Sequence, residues 1–107
     1  QDQWALQFFL NFVDFGMNLQ EAIDAPTFHS LHFPSSFYPH DAHPGRLVVE
    51  GRIPEDVRAA LREKGHEVMV SGEWSQSHVL AVMFDQRRSV IFGAASPRID
   101  VYYAVGW

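Results

Sequence analysis

Four histidines and one aspartate fall within a single segment and are of the residue types that bind metal ions: His29, His32, His40, His43 and Asp41. Imidazole and carboxylate groups are common protein ligands of zinc. The histidines form two pairs with a spacing of three residues, and in an extended segment such pairs point to opposite faces. No helix is predicted there that would bring either pair together. We therefore predict ordinary loop or core histidines and no metal-binding residue in this chain.

Arg98 and Asp100 form a second polar pair, two residues apart and therefore on one face of a predicted strand. An arginine fork binds a carboxylate through two parallel hydrogen bonds, so one interpretation is a site for a substrate carboxylate. The alternative is a structural ion pair or hydrogen-bond anchor at the entrance of the strand, with Glu50 or Arg52 as partners. We favour the structural interpretation.

Composition excludes several classes of protein. The chain has 107 residues, of which 47% are hydrophobic, so it forms at most one domain and has ample material for a core. Its formal net charge of −5 argues against a nucleic-acid surface, which requires a basic patch. It has no cysteine, which excludes disulfides, thiolate metal sites and a thiol nucleophile. No apolar stretch is long enough for a membrane span. Because the sequence opens directly into a hydrophobic helix, we expect that the chain is cut from a precursor.

Three helices are predicted. The first, residues 3–15, is apolar on every side but one, so it must be enclosed by other protein. The second, residues 19–25, begins with a capping box formed by Asn18 and Glu21, and Pro26 stops it. The third begins at Pro54 as its first helical residue and ends at Gly65. Its predicted inner face is Val57, Ala60 and Leu61, and its predicted solvated face is Glu55, Asp56, Arg58, Arg62 and Glu63.

Several short apolar segments predict strands. Residues 78–84, 89–95 and 101–107 are apolar at nearly every position, which predicts an antiparallel sheet covered on both faces. In the first of these, Leu80, Val82 and Phe84 should point to one face and the intervening residues to the other. Two further strands are predicted at residues 46–50 and 67–70. The predicted helices can cover one face of the sheet but hardly both, which indicates part of a larger assembly.

Residues 34–45 are rich in proline and serine and predict an irregular loop, which at this length is usually functional or wraps a partner. Phe37 and Tyr38 lie in it, and Trp74 lies in a second predicted loop, residues 72–76. These aromatic side chains could line a substrate entrance or pack against other polypeptide. We favour interface packing.

Three motifs resemble the small subunit of the gamma-glutamyltranspeptidases. They are Asp-Phe-Gly-Met-Asn-Leu-Gln-Glu-Ala-Ile-Asp-Ala-Pro at residues 14–26 with Phe28 and His29, Leu-Arg-Glu-Lys-Gly-His-Glu-Val at 61–68, and Gly-Ala-Ala-Ser-Pro-Arg-Ile-Asp at 93–100. They occur in the family's order and cover nearly the whole chain. The resemblance is to the C-terminal part of the small subunit, and it assigns residues 1–107 to a single partial domain.

The resemblance implies an α+β chain that forms part of a four-layer αββα N-terminal-nucleophile hydrolase fold. In this family a precursor cleaves itself, and the new N-terminal threonine attacks a gamma-glutamyl amide of glutathione or a related compound. Backbone N–H groups near adjacent glycines stabilise the oxyanion, and the acyl group passes to water or to an amino acid or peptide. The implied partners are the large subunit, the N-terminal part of the small subunit and a small gamma-glutamyl substrate.

Almost none of that machinery matches residues of this chain. The single threonine, Thr27, lies inside the chain and cannot be the N-terminal nucleophile. Ser35 and Ser36 lie in the proline-rich loop, in the wrong order for the family's substrate-binding serine pair, and no Gly-Gly occurs. We therefore predict no catalytic, cofactor-binding or metal-binding residue and no cofactor, so that the chain alone is an inactive scaffold with exposed faces that self-associate.

The sequence departs from the family at Thr27, where arginine is usual, at Ser30 to His32, and at Ser96, where aspartate is usual. These differences favour a divergent branch and leave the substrate, the balance of hydrolysis and transfer, and the compartment open. Two alternatives stand beside the favoured hypothesis. One is a self-contained α+β binding module that uses residues 37–43 for recognition, and the other is a catalytically dead homologue.

Overall fold

The computed structural model describes residues 1–106 of the chain. Over this range the helices are α1 (Asp2–Val13), α2 (Leu19–Asp24) and α3 (Glu55–Glu63), and the strands are β1 (Phe28–Ser30), β2 (Arg46–Glu50), β3 (Glu67–Ser71), β4 (Leu80–Asp85) and β5 (Val90–Ala95). The α+β class predicted from the sequence is confirmed. The chain packs as two compact units, one from residues 1–25 together with the part after Gln76, the other from residues 26–76.

The first unit is built on the antiparallel hairpin of β4 and β5, in which Ala81 pairs with Ala94 and Met83 with Phe92. Helix α2 lies against the inner face of this hairpin, where Leu19 and Ile23 pack with Ala94. Partly buried apolar side chains surround these three: Phe8, Phe12, Val79, Ala81 and Met83. The core of the unit therefore lies between the two helices and one face of the hairpin.

Helix α2 has only six residues and is fixed at both its start and its side. The Asn18 side chain accepts a hydrogen bond from the Glu21 N–H (3.0 Å), and the Glu21 carboxylate accepts one from the Asn18 N–H (2.9 Å), so the predicted capping box is confirmed. The Gln20 side-chain amide donates to Ala95 O (3.0 Å) and accepts from Ala95 N–H (3.3 Å). These bonds, together with the buried Leu19, Ala22 and Ile23, hold a helix too short to be stable alone.

The opposite face of the hairpin is apolar and exposed. The predicted alternation along β4 is confirmed, since Ala81 and Met83 turn inward while Leu80, Val82 and Phe84 are more than half exposed. Ile91, which pairs with Phe84, adds to this outer face. The expectation that both faces of the sheet are covered is not met within residues 1–106.

Helix α1 shows the same one-sided burial. Phe8 and Phe12 pack toward the core, but no residue of the helix is fully buried. Leu6, Phe9 and Val13 remain more than half exposed. The helix ends at Val13 rather than at residue 15, and Gly16 (φ 68°) follows with a left-handed backbone suited to glycine. No helix within residues 1–106 is long and apolar enough to cross a membrane.

The second unit contains the three-stranded sheet β1-β2-β3. Strands β1 and β2 are antiparallel, whereas β2 and β3 are parallel, a feature that the sequence analysis did not predict. The physical reason is the connection: α3 joins β2 to β3, and a helical crossover returns the chain in the same direction. Residues 34–45 form the predicted irregular loop between β1 and β2.

Helix α3 differs from the prediction in two details. Pro54 is its N-cap rather than its first helical residue. The predicted inner face is wrong, because Val57 and Ala60 are exposed and only Leu61 is partly buried. The predicted solvated face is correct for Glu55, Asp56, Arg62 and Glu63 and wrong for Arg58, whose side chain is only 18% exposed. Glu55 forms ion pairs with both Arg58 (3.0 Å) and Arg62 (2.7 Å).

The predicted third strand at residues 101–107 is wrong over its described part, and Trp107 lies outside the described residues. Val101 ends a turn, closed by a hydrogen bond from Tyr102 N–H to Ile99 O (3.3 Å), and residues 102–106 have no regular structure. This segment still lies against the hairpin. A Cβ atom at Gly93 would lie only 3.1 Å from the Ala104 Cβ, so a side chain at position 93 would require Ala104 to move by a few tenths of an ångström.

Candidate functional site

The Glu50 carboxylate is the centre of a buried polar cluster in the second unit. Glu50 ends β2 and its side chain is completely shielded from solvent (0% exposed). One carboxylate oxygen accepts hydrogen bonds from the backbone N–H groups of Ser75 and Gln76 (both 3.1 Å). The other accepts from the Thr27 N–H (3.1 Å) and from the Arg52 guanidinium (2.9 Å). A buried carboxylate is costly unless it is paired and hydrogen-bonded, and this one is both.

The end of β2 places this carboxylate among three segments of backbone. The Glu50 N–H donates to Thr27 O (3.0 Å), which continues the pairing of β1 and β2 by one residue. Gly51 follows, and any Cβ there would lie 3.3 Å from Ser71 O, so the absence of a side chain lets β2 and β3 stay close. The cluster therefore ties together the start of β1, the end of β2 and the loop of residues 72–76.

Arg52 is held on three sides. Its Nη2 atom lies 2.9 Å from Glu50 Oε2, its Nε donates to Glu73 O (2.7 Å), and its Cζ lies 3.4 Å from the centre of the Trp74 ring. A guanidinium group is suited to such a place, because it stacks on an aromatic face while its edge donates hydrogen bonds. Its charge compensates that of Glu50, so the pair adds little net charge to the interior.

Thr27 lies beside this cluster, and its hydroxyl does not take part in it. The residue is 4% exposed, and its Oγ1 atom has no hydrogen-bond partner within residues 1–106. The Glu50 carboxylate contacts the Thr27 amide rather than the hydroxyl. A nucleophilic hydroxyl requires a base within hydrogen-bond reach, and the described contacts provide none for Thr27. The cluster orders backbone and carries no pair of nucleophile and base.

Arg98 serves as the hydrogen-bond anchor that the sequence analysis favoured. Its guanidinium donates to Ile23 O (2.7 Å) and to Ala25 O (2.9 Å), at the C-terminal end of α2, where carbonyl groups lack partners within the helix. The predicted strand context is wrong, because Arg98 and Asp100 lie in a turn. Asp100 is exposed in that turn, and the structure does not place it with Arg98 on one face of a strand.

Of the four histidines in residues 29–43, His29 lies in β1, and His32 and His40 make side-chain hydrogen bonds within the loop. His32 Nδ1 accepts a hydrogen bond from the Gly45 N–H (3.0 Å), and His40 Nδ1 lies 2.8 Å from Ser35 O. Burial lowers the pKa of His29, and a hydrogen bond with Gln76 partly offsets that effect. In the part of the chain that the structure describes, no group of three or more histidine, cysteine, aspartate or glutamate residues could hold a metal ion.

A bidentate ion pair joins the two parallel strands at their start. Arg46 donates from Nε and Nη2 to the two carboxylate oxygens of Glu67, both at 2.9 Å. This hydrogen bonding lowers the pKa of the Glu67 carboxyl, and the bond from Arg62 does the same for Glu55. Both carboxylates are on the surface, so solvent screening keeps the contribution of each pair to folding stability small.

Sequence reasoning missed the Glu50 cluster and considered Glu50 and Arg52 only as partners for Arg98 and Asp100. One signal was present: a single acidic residue ends an apolar strand, directly before glycine, with an arginine two residues on. The donors from Ser75 and Gln76 are backbone groups 25 and 26 residues away, which no local pattern reveals.

Comparison with known sequences places the chain in context. Residues 1–105 match the profile of the family described as Gamma-glutamyltranspeptidase. The glutathione hydrolase proenzyme of Pseudomonas sp. (strain A14) is 63% identical over 106 residues, covering 92% of this chain. The chain spans only 16% of the length of that curated relative.

Several solved structures are similar to the chain, and these include the following two. The structure of LmbA2991T421A matches with a TM-score of 0.93 and 46% identity, covering all of this chain and 19% of that protein chain. An acivicin-inhibited gamma-glutamyltranspeptidase, for which critical roles of the C-terminus in autoprocessing and catalysis are described, matches with a TM-score of 0.66 and 25% identity. That match covers 92% of this chain and 48% of the other.

Proposed function

This chain belongs to the gamma-glutamyltranspeptidase family, and on that premise we propose that it is part of a parent protein that transfers or hydrolyses gamma-glutamyl groups. The observation that carries the proposal is the family match over residues 1–105, together with 63% identity to a glutathione hydrolase proenzyme. The N-terminal-nucleophile hydrolase assignment agrees with the similarity to a solved gamma-glutamyltranspeptidase. The fold-class prediction is confirmed.

We infer that the reaction uses an N-terminal threonine located upstream of this chain. In that chemistry the threonine oxygen attacks the gamma-glutamyl carbonyl carbon, and the threonine's own α-amine accepts the hydroxyl proton. The amine leaving group departs with a proton, and water or an acceptor amine then releases the glutamyl group. Glutathione-like amides are the proposed substrates, by analogy with the named relative.

The proposed role of this chain is that of a scaffold. Glu50 is buried and Arg52 and Arg98 are partly buried, and all three hydrogen-bond to backbone groups or to each other, which positions loops and helix ends. None of the described contacts pairs a hydroxyl with a base in the arrangement that an activated nucleophile needs. We propose that residues 1–107 form one partial domain and contribute no catalytic, cofactor-binding or metal-binding residue.

The proposed partner is the remainder of the same precursor. Exposed apolar side chains on the outer face of the hairpin and on α1 support this proposal, because contiguous exposed apolar surface marks an interaction site. The chain also spans only 16% of the proenzyme relative, which leaves most of that length to supply a covering layer.

The test uses the full-length parent protein. We expect it to cleave itself into two subunits and then to release the chromophore of a gamma-glutamyl anilide. As the control, a precursor in which alanine replaces the threonine exposed by cleavage should show neither event. A folded parent protein that is neither cleaved nor active would indicate a catalytically dead homologue. Turnover by residues 1–107 alone would contradict the scaffold role.

A further inference from the structure

Residues 31–45, here named the aromatic loop, expose large aromatic rings at a density found nowhere else in the second unit. Phe33 and Phe37 are each 80% exposed, and Tyr38 is 90% exposed. Each ring has an apolar area that favours burial, and exposed patches of this kind mark binding surfaces more often than chance. The exposed rings therefore require an explanation beyond the folding of the second unit.

The aromatic loop is ordered by its own hydrogen bonds. Its ends are joined where His43 N–H donates to Leu31 O (2.9 Å) and Leu31 N–H donates to Arg46 O (3.0 Å). Nearer the tip, Ser35 N–H donates to Asp41 O (2.9 Å). These bonds connect the first half of the loop backbone to the second half, so the loop is compact and its ends lie close together.

Further bonds fix the tip itself. Phe37 N–H donates to Ser35 Oγ (3.2 Å), His40 N–H donates to Phe37 O (2.7 Å), and His40 Nδ1 lies 2.8 Å from Ser35 O. The Tyr38 ring also meets the His40 ring edge to face, with centroids 6.4 Å apart. The backbone that carries Phe37 and Tyr38 is thus ordered although both side chains face solvent.

An ordered loop with exposed aromatic rings is suited to binding, because much of the entropic cost of ordering has been met before a partner arrives. Rigid aromatic side chains in such positions are typical of the residues that dominate interface energies. The loop contains one acidic residue, Asp41, and no lysine or arginine. It therefore lacks the cations that nucleic acid or an anionic membrane surface requires, and it fits an uncharged apolar pocket in protein.

We propose that the aromatic loop docks, through Phe37 and Tyr38, into an apolar pocket formed by the part of the same precursor that lies outside this chain. We choose this partner because the chain spans only 16% of the length of its proenzyme relative, so most of such a precursor lies outside the chain. The inference rests on the proposed function only in assuming that the parent protein is this longer precursor. It does not depend on which reaction that protein catalyses.

The test is hydroxyl-radical footprinting of the full-length parent protein, read out by mass spectrometry at Phe37 and Tyr38. We expect both rings to be oxidised on the order of tenfold more slowly than in the same protein unfolded in urea, because rings at the centre of an interface are desolvated. Oxidation at the rate of a freely exposed ring would overturn the proposal. Protection that appears only at high protein concentration, or only with lipid vesicles, would also overturn it, by identifying a second copy or a membrane as the partner.

A pair of variants provides a second measurement. Phe37→Ser combined with Tyr38→Ser removes the rings, whereas Ser35→Ala removes one hydroxyl acceptor within the loop and keeps both rings. We expect the double variant to lower the urea midpoint of the parent protein well below that of Ser35→Ala. Equal midpoints for the double variant and the unaltered protein would contradict the docking. Anilide turnover measured on the same samples separates this result from the fate of the proposed function.

Discussion

Glu50, which is buried, and Arg98, which is partly buried, show how this chain uses polar side chains that are shielded from solvent. Each lies far along the chain from the backbone that it contacts, Glu50 at the loop of residues 75–76 and Arg98 at the end of α2. Both hold irregular backbone whose N–H or C=O groups would otherwise lack partners. These polar side chains therefore stabilise the fold, which agrees with the proposal that the reacting groups lie elsewhere in the parent protein.

Glu50→Gln is expected to destabilise the protein by about 3 kcal/mol, the lower end for a broken buried pair, because the Arg52 guanidinium that loses its charge partner is only partly buried. The amide also presents an N–H₂ group toward two of the described donors, because each carboxylate oxygen of Glu50 accepts two hydrogen bonds. Urea unfolding measures the change. Glu67→Gln is the matched control, since it removes a carboxylate from the surface pair with Arg46 and should have a much smaller effect. Equal effects of the two variants would show that the Glu50 cluster contributes no more than a surface pair.

Helix α2 illustrates how an element of six residues is made stable. Its start is fixed by the capping box, its side by the burial of Leu19 and Ile23, and its end by the Arg98 guanidinium. Local propensity alone would not hold so short a helix. The element therefore exists because the hairpin and the turn that carries Arg98 are in place.

Asn18→Ala should cost about 1 kcal/mol of unfolding free energy, because the Glu21 N–H at the start of α2 loses its acceptor. Thermal or urea unfolding measures the loss. Asn18→Ser keeps an acceptor oxygen and should recover most of the stability. As a further control, Glu63→Ala on the exposed surface of α3 should change stability by no more than about 0.5 kcal/mol. A neutral Asn18→Ala variant would show that packing alone fixes the helix.

At the scale of the whole molecule, the first unit buries one face of its hairpin and one side of α1 and leaves the other surfaces apolar and exposed. The second unit adds the exposed aromatic loop. These surfaces belong to a chain that spans only a sixth or less of its proenzyme relative, and the proposed precursor offers a covering for them.

Residues 1–107 produced alone should self-associate through these apolar surfaces, giving larger species on size-exclusion chromatography as concentration rises. Val82→Lys places a charge in the middle of the outer hairpin face, where Val82 is 78% exposed, and should shift the chain toward monomer. Glu63→Lys makes a charge change on a polar surface and should leave the distribution unaltered. A single monomeric species at every concentration would contradict the prediction.

The sequence by itself determined the features that depend on neighbouring residues. The capping box of Asn18, strand Arg46–Glu50, the end of α3 before Gly65 (φ 92°) and the in–out alternation of β4 follow from local hydrogen bonding and side-chain periodicity. The family motifs follow from residue order. Only the tertiary structure decided the parallel pairing of β2 with β3, the turn in place of a third strand after Ser96, and the partners of Glu50 and Arg98. These features depend on contacts between residues that are far apart in the chain, whose free energy no local pattern contains.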